Sequence, residues 1–193
     1  MSEFEFVLIL VSIVAGFAVS EILSGWGKLI RERAPISDTG LHLLASFWLL
    51  SMITRYVWVL WVFREIEWRF VDFILAFVPM LVLALAAYVT NPARVVNYNP
   101  TTHYLSQARP FCYLVAFFFV SWSLGSQRAF IPEGDIVAFP QIIGVTIAVA
   151  FMCLAHTKKQ TLHGFGLGLL TLVLMFMSSV AITNLGETPT NPG

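Results

Sequence analysis

An all-α transmembrane bundle of six helices is the fold class this sequence predicts, and three observations carry it. Hydrophobic residues make up 58% of the 193-residue chain and charged residues 11%, against roughly a quarter charged in a soluble domain. The apolar residues gather in six runs, each near the ~20 residues of helix that cross a ~30 Å hydrocarbon core. Phe and Trp are abundant, at 17 and 6, and such rings settle at membrane–water interfaces. The formal net charge is zero and no basic block is present, so nucleic-acid binding has no electrostatic footing.

The runs fall at about 5–30, 41–63, 70–91, 110–128, 136–156 and 162–184, each close to a spanning length. The first is preceded by the acidic Met-Ser-Glu-Phe-Glu-Phe and followed by no small-residue cleavage site, so it reads as a retained helix that doubles as the targeting signal. The first and second are joined by Arg31 to Gly40 and the second and third by Arg64 to Arg69, and the third closes on Thr90–Asn91. The longest connection, Pro92 to Arg109, precedes the fourth run. Ala129 to Asp135 and Thr157 to Gln160 complete the links, which hold the turn formers and most of the charge. The closing Gly-Glu-Thr-Pro-Thr-Asn-Pro-Gly reads as a short disordered tail. No link is long enough to separate domains, so residues 1–193 form one transmembrane domain.

Lysine and arginine counted over alternate loops give the orientation. Loops one, three and five carry seven (Lys28, Arg31, Arg33, Arg94, Arg109, Lys158, Lys159), and the opposite side carries three (Arg64, Arg69, Arg128). Both termini are therefore expected outside. An even helix count also admits two inverted halves, hinted at by Thr90–Asn91 and Thr183–Asn184 closing the third and sixth runs.

Two charges interrupt the apolar runs. Glu21 lies about eight residues from the inner end of the first, hence ~12 Å deep, and Arg55 ~18 Å from the same boundary in the second. The ~6 Å mismatch is within an arginine's reach, and an unpaired charge near the midplane costs at least ~2.5–3.5 kcal/mol. The expectation is a Glu21–Arg55 pair sheltered from lipid, acting either as a static register lock or as part of an ion or proton path. Asp72 competes for Arg55 but sits at the edge of the third run, where a solvated carboxylate is the simpler reading.

Small residues at Gly16, Ser20, Ser24 and Gly27, with Gly164 and Gly168 in the sixth run and Ser121 and Gly125 in the fourth, let helices approach closely. Packing inside the bundle is the first expectation for them and a homo-oligomer interface the second. His42, His103, His156 and His163 all fall near the cytoplasmic boundary, with Cys112 and Cys153. His42, His156 and His163 are weak metal candidates, and a haem or quinone site there is a further alternative. No spacing matches a zinc pattern, and helix-end histidines commonly meet water and headgroups. The cysteines read as small apolar residues.

Aromatic rings crowd the second run and the turn after it: Trp48, Tyr56, Trp58, Trp61 and Trp68. Trp58-x-x-Trp61, Glu67-Trp68-x-Phe70-x-x-Phe73, His103-Tyr104 and Arg109-Pro110-Phe111 together resemble a family of small bacterial integral membrane proteins of uncharacterised function, over about the first two thirds of the chain. The resemblance implies a bacterial inner membrane and no chemistry. It draws attention to the third connection, where His103, Tyr104 and Arg109 are a candidate cytoplasmic binding loop, set against a plain capped turn.

No serine–histidine–acid set, HExxH, phosphate-cradling loop or dinucleotide fingerprint occurs. The expectation is therefore no enzyme and no cofactor. It is a membrane protein with the bilayer as its surroundings, acting as an oligomeric channel or transporter around Glu21 and Arg55. The rival is a non-catalytic subunit that docks another membrane protein.

Overall fold

In the computed structural model the chain is all-helical. It describes residues 2–64, 67–91, 99–130 and 139–186, with backbone only at 36–38, 62, 126–130, 139–141 and 174–186. The helices are α1 (Glu3–Arg31), α2 (Ile36–Leu60, extended by a 3-10 turn at Trp61–Phe63), α3 (Phe70–Thr90), α4 (Pro100–Phe130), α5 (Phe139–Leu154) and α6 (Gln160–Gly186). No strand occurs among the described residues. Among the described residues four helices, α1 to α4, are long and apolar enough to cross a membrane, and the apolar part of α5, Ile142–Leu154, is shorter. The closing tail, the Ala129–Asp135 link beyond Phe130 and Arg94 lie outside the described residues.

Local chemistry sets the helix ends. Ser2 and Glu5 form a capping box: the Glu5 N–H donates to Ser2 Oγ at 3.1 Å and the Ser2 N–H to Glu5 Oε2 at 2.8 Å. At the other end of α1, Arg33 takes a left-handed φ of 49°. The Ala34 N–H then reaches back to the Leu29 carbonyl at 3.1 Å, which closes the helix before Pro35.

The fourth helix departs from expectation. It begins at Pro100, ten residues before the predicted start, and carries Pro110 inside it. Asn99 caps it by accepting the Thr102 N–H at 3.0 Å. Proline at the first helical position loses no hydrogen bond, so Asn99–Pro100 is a start signal. Most of the second half of the third connection is therefore helix, and the expected binding loop does not exist there.

Four contacts fix how the first helices lie. Phe4 of α1 meets Trp61 at 5.8 Å and Trp68 at 6.2 Å, and Phe6 meets Phe73 of α3 at 6.3 Å. Toward the far end of α1, Trp26 donates its indole N–H to Ser46 Oγ of α2 at 2.7 Å. Hence α1 runs antiparallel to α2 and parallel to α3. One end of the bundle holds Trp61 and Trp68, the other His42, His103 and His163; we call them the tryptophan end and the histidine end.

Between them the core is aromatic. Trp48 is 0% exposed, with its ring 5.1 Å from Phe151 and 6.3 Å from Phe119. Nearer the tryptophan end, Tyr56 packs edge-on to Phe118 and Trp122 and donates its hydroxyl to the Ala76 carbonyl.

Small residues do bring helices together, though mostly others than those expected. A Cβ on Gly125 would stand 3.3 Å from the Leu75 carbonyl oxygen, and one on Gly144 would collide with Ser123 Oγ. By contrast, a Cβ on Gly16, Gly27, Gly164 or Gly168 would meet nothing within 4 Å, and Ser20 and Ser24 are exposed. The expected packing role inside the bundle is thus corrected for the α1 stripe and for Gly164 and Gly168. The reason is that α1 lies at the edge and buries a different face, Val7, Val11, Ala15, Ala18, Ile22 and Leu29. At α6, Gly164 instead helps to line an open groove of about 510 Å³ with Gly40 and Leu44 of α2.

Candidate functional site

The polar groups of the interior concentrate in the half of the bundle nearer the histidine end. Glu21 of α1 is half-buried, and Asn91, which follows the last residue of α3, is 5% exposed. The Asn91 side-chain amide donates to Glu21 Oε2. An N–H aimed at a carboxylate is a charge-assisted bond, stronger than a neutral one. Asn91 is in position because α3 stops there: the Thr90 hydroxyl turns back to the Ala86 carbonyl at 2.9 Å, and the Asn91 N–H reaches Tyr88 at 3.2 Å.

The expectation is a Glu21–Arg55 pair, with Asp72 competing for Arg55 or solvated at the helix edge. The contacts of Phe4 with Trp61 and of Trp26 with Ser46 set the α1–α2 register. That register puts Glu21 opposite about residue 50 and leaves half-buried Arg55 about five residues, ~8 Å, nearer the tryptophan end. Asp72 lies at that end, where its carboxylate accepts the Arg69 N–H at 3.1 Å and caps α3.

The histidines divide. His163 of α6 is 0% exposed, with Nε2 3.0 Å from the Thr157 carbonyl and Nδ1 3.4 Å from the Tyr104 hydroxyl. A carbonyl oxygen can only accept, so Nε2 carries the proton and, in the neutral ring, the Tyr104 hydroxyl donates to Nδ1. Tyr104 is itself fully buried and stands edge-on to His163 at 5.6 Å. His42 of α2 is 2% exposed, and its Nδ1 has no hydrogen-bond partner. It lies within electrostatic range of His103, which in turn feels Lys28 of α1. His156 is exposed, its Nδ1–H given to the Met152 carbonyl at 2.8 Å and its ring against Tyr113.

The three residues of the expected loop therefore belong to α4 and go to different places. His103 lies within electrostatic range of His42, Tyr104 is bonded to His163, and Arg109 is exposed with its guanidinium 5.8 Å from the Tyr113 ring. Among the described residues no group of three or more His, Cys, Asp or Glu side chains converges in a way that could hold a metal ion. Cys112 is buried and Cys153 exposed.

Asn91 is the partner that sequence reasoning missed. Its signal was there, since Thr90–Asn91 places a strong hydrogen-bond donor at the end of an apolar run. Nothing in one sequence says that the end of the third helix falls beside the middle of the first.

The arrangement can do two things chemically. It can orient the half-buried Glu21 carboxylate through the Asn91 amide. It can also present, two turns along α1 on the same face, a cation and two histidines between Glu21 and the end of the bundle. No family model matches the chain, and no curated protein or solved structure matches it.

Proposed function

We propose that this chain is a bacterial inner-membrane protein that crosses the bilayer six times with both termini outside, and that it moves a proton or small cation past Glu21. The observation that carries the reading is the Glu21–Asn91 contact inside an apolar bundle. The Asn91 amide fixes one carboxylate oxygen by donating to it, which orients the group without itself exchanging a proton. Lys28, seven residues further along α1, stands at the expected inner boundary, ~10 Å from Glu21 along the axis. His103 and His42 lie beside that approach. A carboxylate at such a depth marks an ion or proton pathway by default.

The test is flux in proteoliposomes. Glu21→Gln keeps the shape and the Asn91 contact while removing the titrating group, and is expected to abolish proton or cation flux with helicity unchanged. Wild-type flux in that variant removes Glu21 from the mechanism.

A second reading, a subunit that docks a partner or another copy of itself, is favoured by one observation: the Gly16, Ser20, Ser24 and Gly27 stripe faces outward on α1. Small residues on an outer face allow another helix to approach closely. A stoichiometric partner copurifying from native membranes, lost in Gly16→Leu, would favour it over transport.

A further inference from the structure

At the tryptophan end, between the first turns of α1 and α3, lies a groove of about 410 Å³. Its size is at the lower end of the range for small-molecule sites, enough for a headgroup and the start of a chain. Glu3, Phe6, Trp68, Arg69, Phe70 and Phe73 line it. The apolar part continues past the groove as a row. Phe73 lies 6.3 Å from Phe6, 6.2 Å from Phe70 and 5.5 Å from Phe77, on which it stacks. Positions 70, 73 and 77 share one helix face, so the row runs ~10 Å along α3 toward the middle of the bundle.

The rim supplies one charge of each sign, the exposed Glu3 and Arg69. The cap of α3 uses only the backbone N–H of Arg69, so its guanidinium is not needed there. The Trp68 indole N–H is given to the Phe63 carbonyl at 3.1 Å, so Trp68 brings the groove a ring face and not a donor. A ligand that matches this lining has an anion and a cation side by side at one end and an apolar chain at the other. A guanidinium takes a phosphate through paired N–H donors, and a carboxylate prefers an ammonium that can donate. Choline has no N–H to give, and a glycerol headgroup has no positive charge.

The geometry points to a phospholipid site, in which the phosphate of a phosphoethanolamine headgroup meets Arg69, its ammonium meets Glu3, and an acyl chain follows Phe70, Phe73 and Phe77. The inference rests on the bilayer placement proposed above and not on the chemistry of Glu21.

The full-length protein in detergent, titrated with dioleoyl phosphatidylethanolamine, phosphatidylcholine or phosphatidylglycerol and followed by native mass spectrometry, tests it. The ethanolamine lipid is expected to bind about tenfold tighter than the other two, the size of one charge-assisted contact. Glu3→Gln should erase the preference over phosphatidylcholine. Arg69→Gln should weaken all three lipids by about tenfold, since each carries the phosphate, and both variants should keep wild-type helicity. Equal binding of the three lipids by the wild type, or variants that bind as it does, would overturn the site: the groove would then hold annular lipid only, its two charges neutralising each other. Alkaline carbonate separates this from failure of the bilayer placement, because release of the protein from membranes sinks that placement, whereas retention without headgroup preference sinks only the site. Glu21→Gln should leave lipid binding unchanged.

Discussion

Two tryptophans ten residues apart on α2 set the two kinds of place in this molecule side by side. Trp48 is 0% exposed among Phe119 and Phe151, and Trp58 is 70% exposed. The same division separates the two ends. At the tryptophan end Phe4 and Phe63 are buried, but many rings and charges lie on the outside: Trp58, Trp61, Phe70, Arg64 and Arg69 are exposed, with the Arg64 guanidinium 5.8 Å from the Trp61 ring. At the histidine end Arg109 and His156 are exposed, but His42, Asn91, Tyr104 and His163 are buried, and all of these but His42 have a named partner. Exposed amphipathic rings need only an interface to settle in. Buried polar groups need a particular neighbour, because in an apolar surrounding nothing else satisfies them. The tryptophan end should therefore tolerate substitution, and the histidine end should not.

The largest expected effect tests the contrast directly. Trp48→Ala removes a fully buried indole and should destabilise the protein by ~3–5 kcal/mol. Trp58→Ala, exposed in folded and unfolded forms alike, should stay within ~0.5 kcal/mol of wild type. Unfolding in mixed detergent–SDS micelles, followed by circular dichroism, reads both. Similar losses for the two would dissolve the distinction.

A smaller effect is expected at the boundary between core and polar half. In a double-mutant cycle on Glu21→Ala and Asn91→Ala, each of which removes the contact, the coupling should be about 1.5 kcal/mol, the upper range for a hydrogen bond in a membrane protein and the lower range for one to a charged group. Coupling below ~0.3 kcal/mol would mean that the contact carries no energy. The orienting role assigned to Asn91 would then be lost with it.

How much of this was open to reading follows from the same contrast. Helix existence was legible, because spanning length and apolar composition depend on the run alone; α1 and α3 begin and end within two residues of expectation. Which face of a helix meets protein was not. A helix apolar all round gives no period to follow, so Gly16 and Gly144 look equally suited to packing, and only the second touches a neighbour. The early start of α4 was legible in Asn99–Pro100 and was hidden by Pro110, which resembles a start but lies inside the helix. The pairing of Glu21 with Asn91 depends on where α3 stops relative to α1, a quantity set by packing and absent from either segment by itself.

The smallest effect concerns Tyr104 and His163, and it sharpens what burial means at the histidine end. Tyr104→Phe keeps the ring that packs on Phe111 at 5.7 Å and removes only the hydroxyl 3.4 Å from His163 Nδ1. Hydrogen bonds between membrane helices average ~0.6 kcal/mol, and one this long should not exceed it. The ring keeps its second bond, to the Thr157 carbonyl at 3.0 Å, so the imidazole stays in place. His163→Phe removes both bonds and leaves the carbonyl and the Tyr104 hydroxyl facing an apolar ring, which should cost ~1–3 kcal/mol. If Tyr104→Phe costs as much as His163→Phe, the hydroxyl and not the carbonyl anchors the histidine. The start of α6 would then be tied to α4 through this bond rather than to its own preceding turn.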